Sequence, residues 1–246
     1  MLTDAHLKAI MPLMPADRRS RFLPSINRTL QIYGIHTPRR AAAFLGQLAH
    51  ESCEFRYMEE LWGPTAQQKR YEPVTELSIR LGNVRAGDGH LFRGRGPIQI
   101  TGRANYQRYG RLLQLDLVAQ PDRVATPEVG LSVAGLYWSS QGLNALAELL
   151  DDREITRRIN GGFNGLAERV AYSERARAVL ARDFVMATTP RALARETAQR
   201  DRQSERTPYA VPLRIPRRPL PRGHAAEEHE VQVLEVGGML REPALP

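Results

Sequence analysis

The 246-residue sequence contains one cysteine, Cys53. A lone thiol closes no internal disulfide and anchors no thiolate metal cluster. Its place two residues after Glu51 invites a nucleophile reading, but a free cysteine is more often a small buried hydrophobe. The pair His50-Glu51 opens like a zincin motif, yet position 54 is Glu where that motif requires its second His. No metal and no cofactor is therefore expected. Apolar runs long enough to cross a bilayer are absent. The opening residues Met1 to His6 lack the basic stretch and apolar core of a secretory signal. The protein is therefore expected in the cytoplasm at first, with any target outside the cell reached by another route.

Lysine is nearly missing as well. Of 35 Lys and Arg residues only Lys8 and Lys69 are lysine, and the net charge is +8. A positive field attracts polyanions, whether nucleic acid, anionic lipid or the phosphates and carboxylates of a bacterial wall, and the charge alone does not choose among them. With 42% hydrophobic and 25% charged residues, the composition is that of a globular protein with one well-packed domain and some chain to spare.

Helical signals dominate. Thr3 can cap a helix running towards Met14. Ala16 to Tyr33 carries Phe22, Ile26, Leu30 and Tyr33 at helical spacing, with Gly34 to stop it and Pro24 expected to kink or break it. Thr37-Pro38 is a start signal, and the small and apolar run Ala41 to Ala49 predicts a buried helix that delivers His50 and Glu51 at its end. Residues 61–92 lack periodicity and predict an irregular lobe with a short helix near Thr75 to Leu81. Phe92 to Gly102 reads as extended or turn-rich. Helices return at Ala104–Leu115, from Thr126-Pro127 through Ser139, at Asp151–Ile159 and at Leu166–Phe184. From about Ala187 the chain turns Pro- and Arg-rich and then acidic at Glu227, Glu228 and Glu230, with little to bury. A domain over 1–186 and a disordered tail over 187–246 are expected, with Val231–Val236 as a short strand.

A carboxylate at the end of so apolar a helix is partly desolvated and suits a general acid. Glycoside hydrolysis needs a second carboxylate across the scissile bond, and Glu54, Glu59 and Glu60 lie nearby in sequence. On one continuous helix Glu60 would face away from Glu51. The helix must therefore end just after Glu51 and the chain must fold back. Taken singly, such acids are usually solvated surface groups. The Gly94-x-Gly96 turn is not a phosphate loop, since no Lys-Ser/Thr follows; it suits a backbone passing close to a ligand.

Three ordered blocks change that balance. Ala49-His50-Glu51-Ser52 continuing to Arg56 and Glu60, then Phe92 to Tyr106 with Gln99-Ile100-Thr101-Gly102, then Ile159-Asn160-Gly161-Gly162 to Arg169, together resemble glycoside hydrolase family 19, the family of chitinases and phage endolysins. The resemblance covers about residues 40–180. It implies a mainly α, two-lobed, lysozyme-like helical fold with a small irregular, β-poor lobe, and an inverting mechanism without a covalent intermediate. It further implies Glu51 as general acid, Glu60 as general base with Glu59 as the neighbouring alternative, and Thr101 as the hydroxyl that holds the attacking water. His50, Gln99, Asn105 and Asn160 match substrate-binding positions, and Arg169 matches an Arg beside the carboxylates. Where many bacterial members of the family have Tyr, this chain has Ser173 preceded by Tyr172, which puts a packing contact in question.

The expected activity is hydrolysis of β-1,4 bonds between N-acetylated sugars. Peptidoglycan is favoured over chitin by the short Glu51–Glu60 spacing and the lack of cysteine-rich chitin-binding modules. The expected partner is the polysaccharide itself, with an anionic wall surface as a further contact for the tail, and the expected state is a monomer without an obligate protein partner. The protein would be cytoplasmic until a holin or an effector pathway releases it, and would then act on the cell wall. The competing readings are an endochitinase on the same fold and, from another class, a non-catalytic wall- or nucleic-acid-binding protein.

Overall fold

The structure is a computed structural model and describes residues 1–183. Among these residues eleven α-helices and one short 3-10 helix, Pro121–Ala125, follow one another without a strand. The only β pairing is a pair of isolated antiparallel bridges, Glu59 to Arg95 and Arg95 to Ile100.

Helices α1 (Asp4–Ile10) and α3 (Pro38–Glu51) begin where their threonine caps predict, and α2 (Ala16–Ile32) starts after Pro15 without a side-chain cap. Thr3 and Thr37 each accept a backbone N–H of the first turn, from His6 and Arg40. Two sequence expectations need correction here. Helix α1 ends at Ile10, short of Met14, and α2 runs through Pro24 without dividing in two. Pro24 and Ser20, whose carbonyl loses its helical N–H partner, are both exposed, so the missing bond leaves no polar group sealed in the core. Gly34, at φ 65°, ends the helix while Ile35 N–H donates back to the Leu30 carbonyl at 2.8 Å.

The 61–92 lobe holds the short helix expected near Thr75 to Leu81, α5 (Glu76–Leu81), and two further single turns, α4 (Ala66–Lys69) and α6 (Asp88–Leu91). Single turns carry no 3.6-residue signature; α4 has a capping threonine, Thr65, while α6 starts from Gly87 with no side-chain cap. Asp88 organises this lobe. It accepts the Val84 and Arg85 N–H groups and pairs with Arg103. Burial pushes its carboxyl up, but the Arg103 guanidinium and the two backbone donors outweigh it and hold the group at about 2 against an ordinary 3.8. A depressed carboxylate stabilises the fold above its unfolded value and loses that contribution as pH falls through the folded one. Thermal stability should therefore drop between about pH 4 and pH 2 more steeply in wild type than in Asp88→Asn, measured by circular dichroism; parallel curves would exclude the role.

Helices α7 (Arg103–Leu113), α8 (Pro127–Ser140), α9 (Leu143–Glu148), α10 (Asp152–Asn160) and α11 (Leu166–Asp183) complete the described chain. Two hydrophobic clusters result. The larger gathers α1, α2, α3 and α11 around Phe44, Trp138 and Leu48. The smaller joins Phe92, Ile100, Tyr106, Leu117 and Val133, and α8 contributes to both, so the two lobes share one helix. This is the mainly α, two-lobed arrangement that the sequence predicted. The most extensive helix pairing is α3 on α11. It rests on small residues: a Cβ on Gly46 would lie 2.4 Å from Ser173 Oγ and 2.9 Å from its N. A Tyr side chain at 173 could not enter that contact, which accounts for the departure at this position. The tail over 187–246 and the strand proposed for Val231–Val236 lie outside the described residues.

Candidate active site

The fold-back demanded by two carboxylates nine positions apart is present. α3 ends at Glu51, and Cys53, Glu54 and Phe55 then all adopt left-handed backbone, with φ 47°, 57° and 60°. For non-glycine residues this costs on the order of 1 kcal/mol or more each. The turn is held by a dense set of bonds: Glu54 N–H to the Ala49 carbonyl at 2.7 Å, Tyr57 N–H to Ser52 carbonyl at 3.0 Å, and Phe55 N–H to Ser52 Oγ at 2.8 Å. Buried Glu54 adds more, accepting Leu13 N–H at 2.6 Å and the Tyr172 hydroxyl at 2.8 Å. Both Glu54 oxygens are thus engaged in tying the turn to α11 and to the segment after α1.

Glu51 sits 7% exposed at the end of its helix. Its Oε1 lies 2.6 Å from Nη2 of Arg169, a fully buried guanidinium, in an ion pair whose angle falls outside hydrogen-bond geometry. Arg169 Nη1 donates to Gln47 Oε1 at 2.6 Å and Nε to the Asn164 carbonyl at 3.2 Å. Gln47 is itself buried and donates to Thr156 Oγ1 at 3.3 Å. Gln47 escaped the sequence reading, although the signal was there: one amide inside the run Ala41 to Ala49, a helical turn before Glu51, must find a buried partner.

After the turn the chain runs antiparallel to residues 94–96. Glu60 N–H donates to the Gly94 carbonyl at 2.8 Å and Gly96 N–H to the Met58 carbonyl at 2.9 Å. The bridge from Arg95 to Ile100 then brings Thr101 to the same patch. Glu60 Oε2 accepts Gly94 N–H at 3.0 Å, while Oε1 accepts Gln68 Nε2 at 3.0 Å and the Tyr71 hydroxyl at 3.5 Å. Burial first, then the Glu60 charge and hydrogen bond, push the Tyr71 phenol up, so it stays a donor. Gly94 is where side chains converge: a Cβ there would meet Gln99 Oε1 at 2.8 Å and Glu60 Oε2 at 3.4 Å. Gln68 and Tyr71 come from the aperiodic lobe, where nothing in the sequence marked them.

Glu59 faces differently. Its Oε1 pairs with Arg93 and, at 3.2 Å, with the buried Arg95. Arg95 is anchored in turn by the Leu91 carbonyl, the Tyr106 hydroxyl and Asp122. Glu59 is therefore part of a charge cluster that braces the Gly94–Gly96 turn.

The remaining predicted residues lie on the same surfaces. Thr101, 1% exposed, donates its hydroxyl to the Gln99 carbonyl at 3.1 Å, which leaves its lone pairs to accept. Gln99 Nε2 donates to the Gly96 carbonyl, Asn105 Nδ2 to the Thr101 carbonyl, and Asn160 Oδ1 accepts Asn164 N–H. One end of each amide is thus committed to backbone, and the opposite end has no hydrogen-bond partner among the described residues. His50 Nδ1 meets Glu168 at 3.1 Å. A Cβ on Gly165 would fall 2.3 Å from Nε2 of the same ring. Burial and the Arg169 charge hold the His50 imidazole below its ordinary value, against the opposing pull of Glu51 and Glu168. The structure brings Glu51, His50, Asn160 and Arg169 together around the ends of α3 and α10 and the start of α11. Glu60, Gln99, Thr101 and Asn105 form a second group around Gly94. Among the described residues no cluster of metal-ligating side chains occurs.

Comparison with known proteins bears on the family and the fold. The glycosyl hydrolase family 19 profile, described as chitinase class I, matches residues 33–145. A glycosyl hydrolase family 19 domain-containing protein of Haemophilus influenzae is 36% identical over 169 residues, 59% of this chain and 82% of its own length. An endochitinase of Arabidopsis thaliana is 34% identical over 177 residues, 66% of this chain but 56% of its own, so the chain spans about half of that plant relative. Among solved structures, chitinase C from Streptomyces griseus superposes with TM-score 0.57 at 23% identity, covering 75% of this chain and 94% of that one. A class IV family 19 chitinase from Zea mays gives 0.55 at 24% identity, covering 76% and 96%. At these identities the two structures speak for the fold.

Proposed function

The chain belongs to glycoside hydrolase family 19, and from that premise we propose that it cleaves the β-1,4 bonds of peptidoglycan by inversion, with Glu51 as acid and Glu60 as base. The observation that supports the assignment is the reversal at Cys53–Phe55, which ends α3 at Glu51 and folds the chain back before Glu60, as two cooperating acids nine positions apart require. Glu51 protonates the glycosidic oxygen while Glu60 takes a proton from water on the opposite face of the sugar. Thr101, its hydroxyl hydrogen spent on Gln99, accepts from that same water and orients it. Gln99, Asn105 and Asn160 present their uncommitted amide ends to hydroxyl and N-acetyl groups. Support for Glu60 over Glu59 comes from partners: Glu59 is paired with two arginines, whereas Glu60 is held by neutral donors.

The net charge of +8 suits an anionic wall polymer, and the short spacing between the two acids favours peptidoglycan. Chitin is the second reading, favoured by the endochitinases among the relatives. Reducing-end release from purified peptidoglycan and from chitin oligomers, with turbidity loss of chloroform-treated Gram-negative cells, separates them. Faster cleavage of the wall is expected. Cleavage of chitin oligomers alone would overturn the peptidoglycan assignment, and binding without cleavage of either would make the protein a lectin on a hydrolase scaffold.

A further inference from the structure

Glu60 is held from behind by an amide whose orientation is forced. Gln68 Oε1 accepts Thr65 N–H at 2.8 Å and Gly63 N–H at 3.4 Å, while Nε2 donates to the Leu61 carbonyl at 2.8 Å and to Glu60 Oε1 at 3.0 Å. Both lone pairs and both hydrogens of the amide are used. Flipping it would set an NH2 against two backbone N–H groups and a carbonyl against a carbonyl and a carboxylate. The side chain is buried, and the helix that carries it is a single turn of four residues, far too short to persist without such contacts.

The consequence lies in the lone pairs of Glu60. Oε1 spends both, on Gln68 and on the Tyr71 hydroxyl. Oε2 spends one on Gly94 N–H and keeps one, and a Cβ on Gly94 would meet both Oε2 and Gln99 Oε1. We propose that Gln68 is a positioning residue that saturates Oε1 and so makes Oε2 the atom at which Glu60 receives the proton of the attacking water. This rests on the reading of Glu60 as general base. Tyr71 is the only titratable group hydrogen-bonded to Glu60 among the described residues; Glu59, next to it, is engaged with Arg93 and Arg95.

The test is the pH profile of kcat/KM for Gln68→Glu, Gln68→Leu and Glu60→Gln. It is run on purified peptidoglycan and on N-acetylglucosamine hexamer, with thermal midpoints measured alongside. Gln68→Glu keeps an acceptor for Thr65 N–H but sets a carboxylate against Glu60, and Gln68→Leu removes the donor. The acidic limb should move up by about one pH unit in Gln68→Glu and by less in Gln68→Leu. On that limb the rate falls roughly tenfold and recovers at higher pH, with KM nearly unchanged because the amide touches no sugar. An acidic limb unmoved in both variants, with only the thermal midpoint lowered, overturns the proposal and leaves Gln68 as a brace for the 61–65 loop. Full activity in Glu60→Gln would instead remove the general base, whatever the Gln68 variants do.

Discussion

Glu51→Gln and Glu60→Gln are each expected to lose on the order of 10²–10⁴-fold in kcat, the usual worth of a positioned acid or base. The two losses have different structural settings. At 51 the amide meets Arg169, whose Nη2 loses its anion, so a stability cost accompanies the catalytic one. At 60 the carboxylate takes donors on both oxygens, Gly94 N–H on one and Gln68 with Tyr71 on the other. A glutamine has one acceptor oxygen, so its NH2 must face a donor whichever way it turns. Both variants should still fold, by circular dichroism, and both should fail to release reducing ends. Glu59→Gln is the informative contrast. It should retain activity within a few-fold and lose stability through Arg93 and Arg95. If Glu59→Gln were dead and Glu60→Gln active, the base assignment would pass to the neighbour.

The second large effect is expected at Arg169. Its guanidinium is fully buried, and Glu51, Gln47 and the Asn164 carbonyl all turn toward it. Arg169→Leu strands a carboxylate and an amide oxygen in the interior at a cost of about 3–5 kcal/mol. Urea denaturation reads that cost, and the rate should collapse with it because Glu51 loses its anchor. Arg169→Lys should rescue little, since a single ammonium cannot address three acceptors that a planar fork reaches at once. In a double-mutant cycle Gln47→Leu and Arg169→Leu should be strongly non-additive; additive losses would show that the two side chains act separately.

Much of this was legible in the residues. Thr37-Pro38 and Thr126-Pro127 announced α3 and α8, because a hydroxyl cap followed by proline at the first helical position is a local signal. The Ala41 to Ala49 run announced burial, and the need for a reversal after Glu51 followed from helix geometry alone. What escaped was set by distant partners. Nothing local distinguishes Glu59 from Glu60; only the positions of Arg95 and Gln68 do. The single turns α4 and α6 have too few residues to show a period. Of the two outcomes expected at Pro24, the break does not occur: Pro24 and Ser20 both face solvent, so losing one helical bond seals no polar group in the core.

The buried network around Glu51 also has a meaning in time. Gln47 and Arg169 stand 122 positions apart, and the start of α11 packs on the end of α3. A contact of such high sequence separation forms late, after the intervening chain has closed its loop. A polypeptide that has emerged only as far as α10 therefore carries Glu51 without its counter-charge. Glu51 meets its counter-charge only when α11 docks, so a chain truncated after α10 should be inactive on either polysaccharide.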